Sequence, residues 1–204
     1  MILLNDATSP FGRKALVCAH ERGVALEECF VNLADAEPLA RHNPLRQIPA
    51  LVRDDGSSLY DSDVIALYLD SCHSGLPLLP EADRFERLTR THLANGLMEA
   101  VLQRVMETRR PDGERSESVV AHLEGRIHRV LDHLRDLPPL PAGEALCLDE
   151  ITLACALAYV DFRYRTDWRA DRPQLDAWLT PVLERPAFQV SAPQRSLPAS
   201  VPAG

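Results

Sequence analysis

Up to about residue 72 the apolar positions alternate between strand and helix spacing; beyond residue 80 helix spacing alone remains. Ile2-Leu3-Leu4 reads as a short buried strand. Ser9-Pro10 follows, with serine at a favoured N-cap and proline at the first helical position. Phe11, Ala15, Cys18 and Ala19 then line one helical face, and Gly23 is a fitting stop. Cys29, Val31 and Leu33 recur at period two within residues 26–33, a second strand. Residues 36–42 suit a short helix before Asn43-Pro44. Ala50-Leu51-Val52 and the run ending at Leu59-Tyr60 flank Asp55-Gly56, a strong hairpin signal. Asp61 suits the N-cap of a helix reaching about Cys72, with Val64, Ile65, Tyr68 and Leu69 on its apolar face. The order βαβ, α, ββα predicts a four-stranded mixed sheet with helices on its faces, because a parallel pair needs a crossover helix.

Leu76-Pro77-Leu78-Leu79-Pro80 breaks this pattern and reads as a linker. Glu81 to about Arg110 carries Phe85, Leu88, Gly96, Leu97, Val101, Val105 and Met106 at helical spacing, ended by Pro111-Asp112-Gly113. Val120, Leu123, Ile127, Val130, Leu134 and Leu137 form one bundle-type seam, closed by Pro138, Pro139 and Pro141. Thr152 is expected to cap a buried helix whose apolar run is Leu153–Val160. A further helix is expected over residues 172–183, with Pro186 beginning an exit. Pro193, Pro198 and Pro202 predict a loose tail. The expected domains are 1–75 and 82–188, with 189–204 as the tail: an α/β sheet domain, then an all-helical one.

Composition narrows the function. A chain of 204 residues with 46% hydrophobic and 25% charged residues is ordinary for a globular protein. Its net charge of −8 argues against a nucleic-acid surface. No apolar run approaches a membrane span, and Met1–Asp6 lacks a basic, apolar leader pattern. The cytoplasm is therefore the expected compartment. Five cysteines (Cys18, Cys29, Cys72, Cys147, Cys155) form no CxxC, and most are expected to be small buried hydrophobes. The histidines show no paired spacing, so no metal is expected. Lys14 is the sole lysine.

The chemistry concentrates in residues 47–62. An Ile48-Pro49 bond can be cis, leaving bare backbone at Ile48. The helix start at Asp61-Ser62 offers N–H groups that can hold a carboxylate. Each feature alone also reads as ordinary structure. Together with Thr8-Ser9-Pro10-Phe11-Gly12-Arg13-Lys14 and Asn43-Pro44-Leu45-Arg46-Gln47-Ile48-Pro49-Ala50-Leu51, the stretch resembles the glutathione transferase superfamily, over residues 1 to about 188. That resemblance implies a thioredoxin-like N-terminal domain and an all-helical C-terminal domain. It implies that Ile48 pairs its backbone with the cysteinyl part of glutathione. Asp61 would receive the amino group, and Ser62 the γ-glutamyl carboxylate. Most relatives carry Glu where Asp61 stands, and Cys155 stands where the core helix of relatives starts with Ser/Thr-x-x-Asp. Gln47 is a further candidate for a polar contact to the peptide.

The resemblance also implies the chemistry. A thiol of pKa about 8.5 is only a few per cent ionised at neutral pH, and the thiolate is the nucleophile. A hydroxyl donor and a helix N-terminus both stabilise that anion, and Ser9 supplies both. Thr8 and a backbone N–H near Phe11 are rival donors. Cys18 lies about two turns into the helix on its apolar face, which argues against glutaredoxin-like exchange. The electrophile pocket is expected between the domains, with Phe11, Met106, Arg109 and Arg110 as lining candidates. The expected protein is thus a glutathione transferase of the detoxification type and a homodimer, with glutathione as co-substrate and an unidentified small electrophile. A glutathione-dependent peroxidase or reductase, or a non-catalytic dimeric binding protein, are the alternatives.

Overall fold

The computed structural model describes residues 1–35, 37–135, 145–164 and 167–193. They divide into two compact units. One comprises the described residues of Met1–Pro80, Ala145–Leu148 and Pro186–Gly204; the other those of Glu81–Glu144 and Asp149–Arg185.

The first unit is built on β1 (Ile2–Asn5), α1 (Pro10–Glu21), β2 (Glu27–Phe30), α2 (Glu37–Ala40), β3 (Ala50–Val52), β4 (Ser58–Leu59) and α3 (Ser62–Ser71). The sheet order is β2-β1-β3-β4. β1 and β2 run parallel across the α1 crossover, and β3 and β4 are antiparallel to their neighbours. The mixed four-stranded sheet and the helical second half match the expected fold class. Leu3, Ala50 and Leu51 from the sheet are buried, as are Ala15, Val17 and Cys18 of α1 and Ile65, Ala66 and Leu69 of α3. Each such side chain of leucine size contributes roughly 1.5–3 kcal/mol by leaving water.

Several expectations are corrected here. On α3 the buried stripe is Ser62, Ile65, Ala66 and Leu69, and Val64 is 45% exposed. Spacing of three and four sets one stripe, and Val64 falls a residue outside it. The peptide stretch expected as a linker is pinned: Leu78 is fully buried and its N–H bonds to both Asp70 oxygens at 3.0 Å. Asp70 also faces Arg22 Nε at 3.0 Å, and Leu78 C=O accepts from Leu148 N–H at 2.8 Å. Pro186 begins a helix, not an exit. α8 (Pro186–Val190) packs on α1 with Phe188 fully buried, because proline at the first helical position has no N–H to lose. The Arg13 guanidinium donates to Phe188 C=O at 2.9 Å and lies over the Phe188 ring. Of the cysteines, Cys18 and Cys155 are buried, whereas Cys72 is exposed.

The second unit contains a turn of 3-10 helix (Glu81–Asp83), α4 (Arg84–Thr108), α5 (Glu117–Arg135), α6 (Leu148–Arg163) and α7 (Pro173–Leu183). α4 buries Leu97, Met98, Val101 and Val105, but Phe85 and Met106 are 77% and 61% exposed. They were expected on the apolar face. The α5 seam runs Val120, Leu123, Ile127, Leu131, Leu134, with Leu131 in the place expected of Val130. Leu137 and the closing prolines lie outside the described residues. Thr152 is not an N-cap: α6 begins a turn earlier, and Thr152 is wholly buried within it. Asp149 and Glu150 occupy the first turn, where acids suit the helix dipole. Asp149 is gripped by Arg87 Nη1 at 2.9 Å and Arg90 Nε at 2.7 Å from α4. Of the expected tail, residues 194–204 lie outside the described residues. Among the described residues, no helix is long and apolar enough to cross a membrane.

Candidate functional site

Strand register brings three distant segments to one end of the sheet. Leu4 faces Ala50, so the next step along the ladder sets Pro49 beside Asn5, where β1 ends and the chain turns toward Ser9. Leu51 faces Leu59, so Tyr60 and Asp61 follow alongside Ala50 and Pro49. The starts of α1 and α3 and the residue before Pro49 therefore share this sheet end.

Ser9 is the N-cap of α1. Its Oγ accepts the Gly12 N–H at 3.1 Å, which satisfies one orphan donor of the first turn. A hydroxyl has one proton to donate as well, and no acceptor for it stands among the described residues. Gly12 is demanded by packing: a Cβ there would fall 1.6 Å from Asn5 Oδ1. Asn5 is itself buried and held through Nδ2 by Glu28 Oε1 at 2.7 Å. Thr8 is turned to Asp6, donating to Oδ1 at 2.6 Å from its hydroxyl and 2.8 Å from its N–H.

Ile48-Pro49 is cis, as is Tyr60-Asp61. The Ile48 backbone N–H and C=O have no partner among the described residues, while its side chain packs on Leu4, Leu39 and Ala50. The loop before it is set by Asn43, buried at 2% exposure. Asn43 Nδ2 donates to Gln47 C=O at 2.8 Å, and Oδ1 accepts from Leu45 N–H at 3.0 Å. These bonds hold Arg46 in the left-handed region at φ 53°, a conformation costing a non-glycine residue about 1 kcal/mol. Gln47 is exposed, and its C=O serves the loop.

Asp61 caps α3, accepting from Asp63 N–H at 3.0 Å and Val64 N–H at 3.4 Å. The Ser62 N–H has no acceptor among the described residues, and Ser62 is 4% exposed. Beneath this turn Lys14 Nζ lies 2.6 Å from Asp63 Oδ1. Sequence reasoning missed Asn5, Lys14, Asn43 and Asp63. Asn43-Pro44 and a lone lysine on an apolar helix face were the available signals.

Phe11 is half-buried at the start of α1. Met106 and Arg109 are exposed in the other unit. A shallow cleft, open to solvent, borders Ser9 on the β2 side and is walled by Asn5, Arg13, Glu28 and Ser191. Its lining includes none of the four expected electrophile-pocket residues, Phe11, Met106, Arg109 and Arg110.

Residues 8–72 match the model of the glutathione S-transferase N-terminal domain, and residues 117–180 that of its C-terminal domain. An uncharacterized GST-like protein of Escherichia coli (strain K12), YibF, is 31% identical over 96% of this chain and 100% of its own length. The chain belongs to the glutathione S-transferase family. Solved glutathione S-transferases carry the same fold with ligand present. One from Methylobacillus flagellatus with glutathione bound has a TM-score of 0.88 at 34% identity, covering 95% of this chain and 99% of that one. A glutathione transferase family member from Pseudomonas fluorescens Pf-5, also with bound glutathione, has a TM-score of 0.84 at 36% identity, covering 95% and 98%.

Proposed function

We propose that this glutathione S-transferase family protein binds glutathione at the shared sheet end and activates its thiol for attack on a small electrophile. The cysteinyl backbone pairs with Ile48 beside Pro49, with Gln47 at the rim. The γ-glutamyl carboxylate sits on the Ser62 N–H and hydroxyl, and Asp61 takes the ammonium group. Ser9 donates its proton in a hydrogen bond to the glutathione sulfur. It does not attack. The thiol loses its proton to solvent, and the thiolate forms the new C–S bond as the electrophile expels a leaving group with its bonding pair or, in an addition, shifts a π pair onto an atom that solvent then protonates. A thiol pKa lowered by two units is worth about 2.7 kcal/mol of preference for the anion.

What supports the reading is the convergence of three unsatisfied devices from distant sequence: the Ser9 hydroxyl proton, the Ile48 backbone and the Ser62 N–H. Buried backbone groups without partners are rare in folded proteins, Ser62 is 4% exposed, and relatives of more than 30% identity hold glutathione in this fold. The first test is calorimetric titration of the purified protein with reduced glutathione near neutral pH. Saturable binding that is lost in Ser62→Ala is expected. Absence of binding at millimolar glutathione overturns the reading.

A further inference from the structure

The ion pair under α3 has a place in this site. Ser62 stands between two acids, Asp61 and Asp63, at the point where the proposed ligand brings a third carboxylate. Acids in a first turn suit the helix dipole, but they repel an incoming anion. Asp61 is directed at backbone N–H groups and is the proposed partner of the ligand ammonium. Asp63 has a different partner. The Lys14 side chain, fully buried on α1, puts Nζ 2.6 Å from the Asp63 carboxylate, which is itself 32% exposed. Lys14 is the one lysine of the chain, and every other cationic side chain is the larger arginine fork. A compact ammonium fits where a planar guanidinium needs more room.

We infer that Lys14 is a positioning residue for the γ-glutamyl end of the site: by cancelling the Asp63 charge it lets the start of α3 receive an anion. The inference rests on the glutathione reading above. Lys14 touches no substrate. Reached from α1, the helix that Ser9 caps, it joins the thiol-activating and carboxylate-holding halves of one site.

The test compares two ligands by calorimetry: glutathione, and 4-aminobutyryl-cysteinyl-glycine, which lacks the γ-glutamyl α-carboxylate. Lys14→Met removes the ammonium beside Asp63, so glutathione affinity falls by about tenfold or more, as like-charge juxtaposition predicts, while the analogue loses far less. Asp63→Asn takes away the acid and keeps the ammonium, so it raises the preference for glutathione over the analogue. The double variant Lys14→Met/Asp63→Asn restores the wild-type preference. A pair that merely clamps α1 to α3 predicts something else, an equal loss for both ligands and no restoration. Either of those results overturns the inference. Should Lys14→Met fail to fold, Asp63→Asn alone still decides, because a preference for glutathione that falls or stays unmoved overturns the inference. If the wild-type protein binds no glutathione, the site reading itself fails and takes this inference with it. Wild-type binding with an unmoved preference removes the role of Lys14 alone.

Discussion

Ser9 has one observed job and one proposed job on the same oxygen, and the two can be separated. As an acceptor for Gly12 N–H it caps α1; as the proposed donor it lowers the pKa of the glutathione thiol. Glycine is a tolerated N-cap, costing only a few tenths of a kcal/mol, whereas alanine costs about 1 kcal/mol. Ser9→Gly is therefore expected to melt within about a degree or two of wild type. The pH profile of kcat/KM with a chromogenic electrophile should shift upward by about two units, the full thiol perturbation assumed above. A profile that stays in place with Tm alone reduced makes Ser9 a cap and nothing else. Gly12→Ala tests packing at the same turn. Its methyl group meets a buried Asn5 that Glu28 already holds, so overpacking should cost about 1–3 kcal/mol, read as a lower urea midpoint at unchanged m. Ser9 and Asp61 were legible in the sequence because capping is local, completed within three residues. Asn5 and Lys14 were not, since their partners Glu28 and Asp63 lie 23 and 49 residues away.

At the scale of elements, the sequence pattern found every strand and every long helix but blurred which face each one buries. A seam read as three-four spacing admits a neighbour at equal hydrophobicity. Val130 and Leu131 are adjacent and both apolar, and only the direction of the packed partner picks Leu131. Thr152 failed differently. A hydroxyl before an apolar run imitates a cap, yet Leu148 and Ile151 extend the buried stripe backward, and Asp149 is anchored by two arginines of α4. The α4–α5 junction carries a titratable tie of the same kind. Glu107 on α4 accepts Ser116 N–H at 2.7 Å just before α5. That hydrogen bond, aided by Arg110, holds its carboxyl below the ordinary value of 4.5. A lowered folded pKa means stability that is present in full above the unfolded value and lost as pH falls through the folded one. Glu107→Gln should accordingly be less stable than wild type at pH 7. The gap should close progressively below pH 4.5, measured by urea unfolding across pH. A gap that persists at low pH removes the charge from the account.

For the whole molecule, the decisive fact is that the first unit is discontinuous. It takes Ala145–Leu148 and α8 from far along the chain, with Leu148 bonded to Leu78 and Arg13 bonded to Phe188. A fragment of residues 1–80 leaves the α1 face against Phe188 bare and Leu78 C=O without its partner. Losing a buried phenylalanine costs about 3–5 kcal/mol even with the rest of the helix in place, a large share of a marginal domain's stability. The fragment should show no cooperative thermal transition by circular dichroism, while the full chain does. In the full chain, Phe188→Ala should lower the urea midpoint without abolishing the transition. A fragment that melts cooperatively would make α8 dispensable.

The same returning segment has a consequence for how the protein is born. Nascent chains emerge N-terminus first at roughly 5–20 residues per second, so residues 1–80 leave the ribosome on the order of ten seconds before α8 follows. During that interval Arg13 and Leu78 are without the Phe188 and Leu148 contacts of the finished fold. A message broken anywhere before Pro186 then yields a chain without its last stitch, the α8 turn that Arg13 holds.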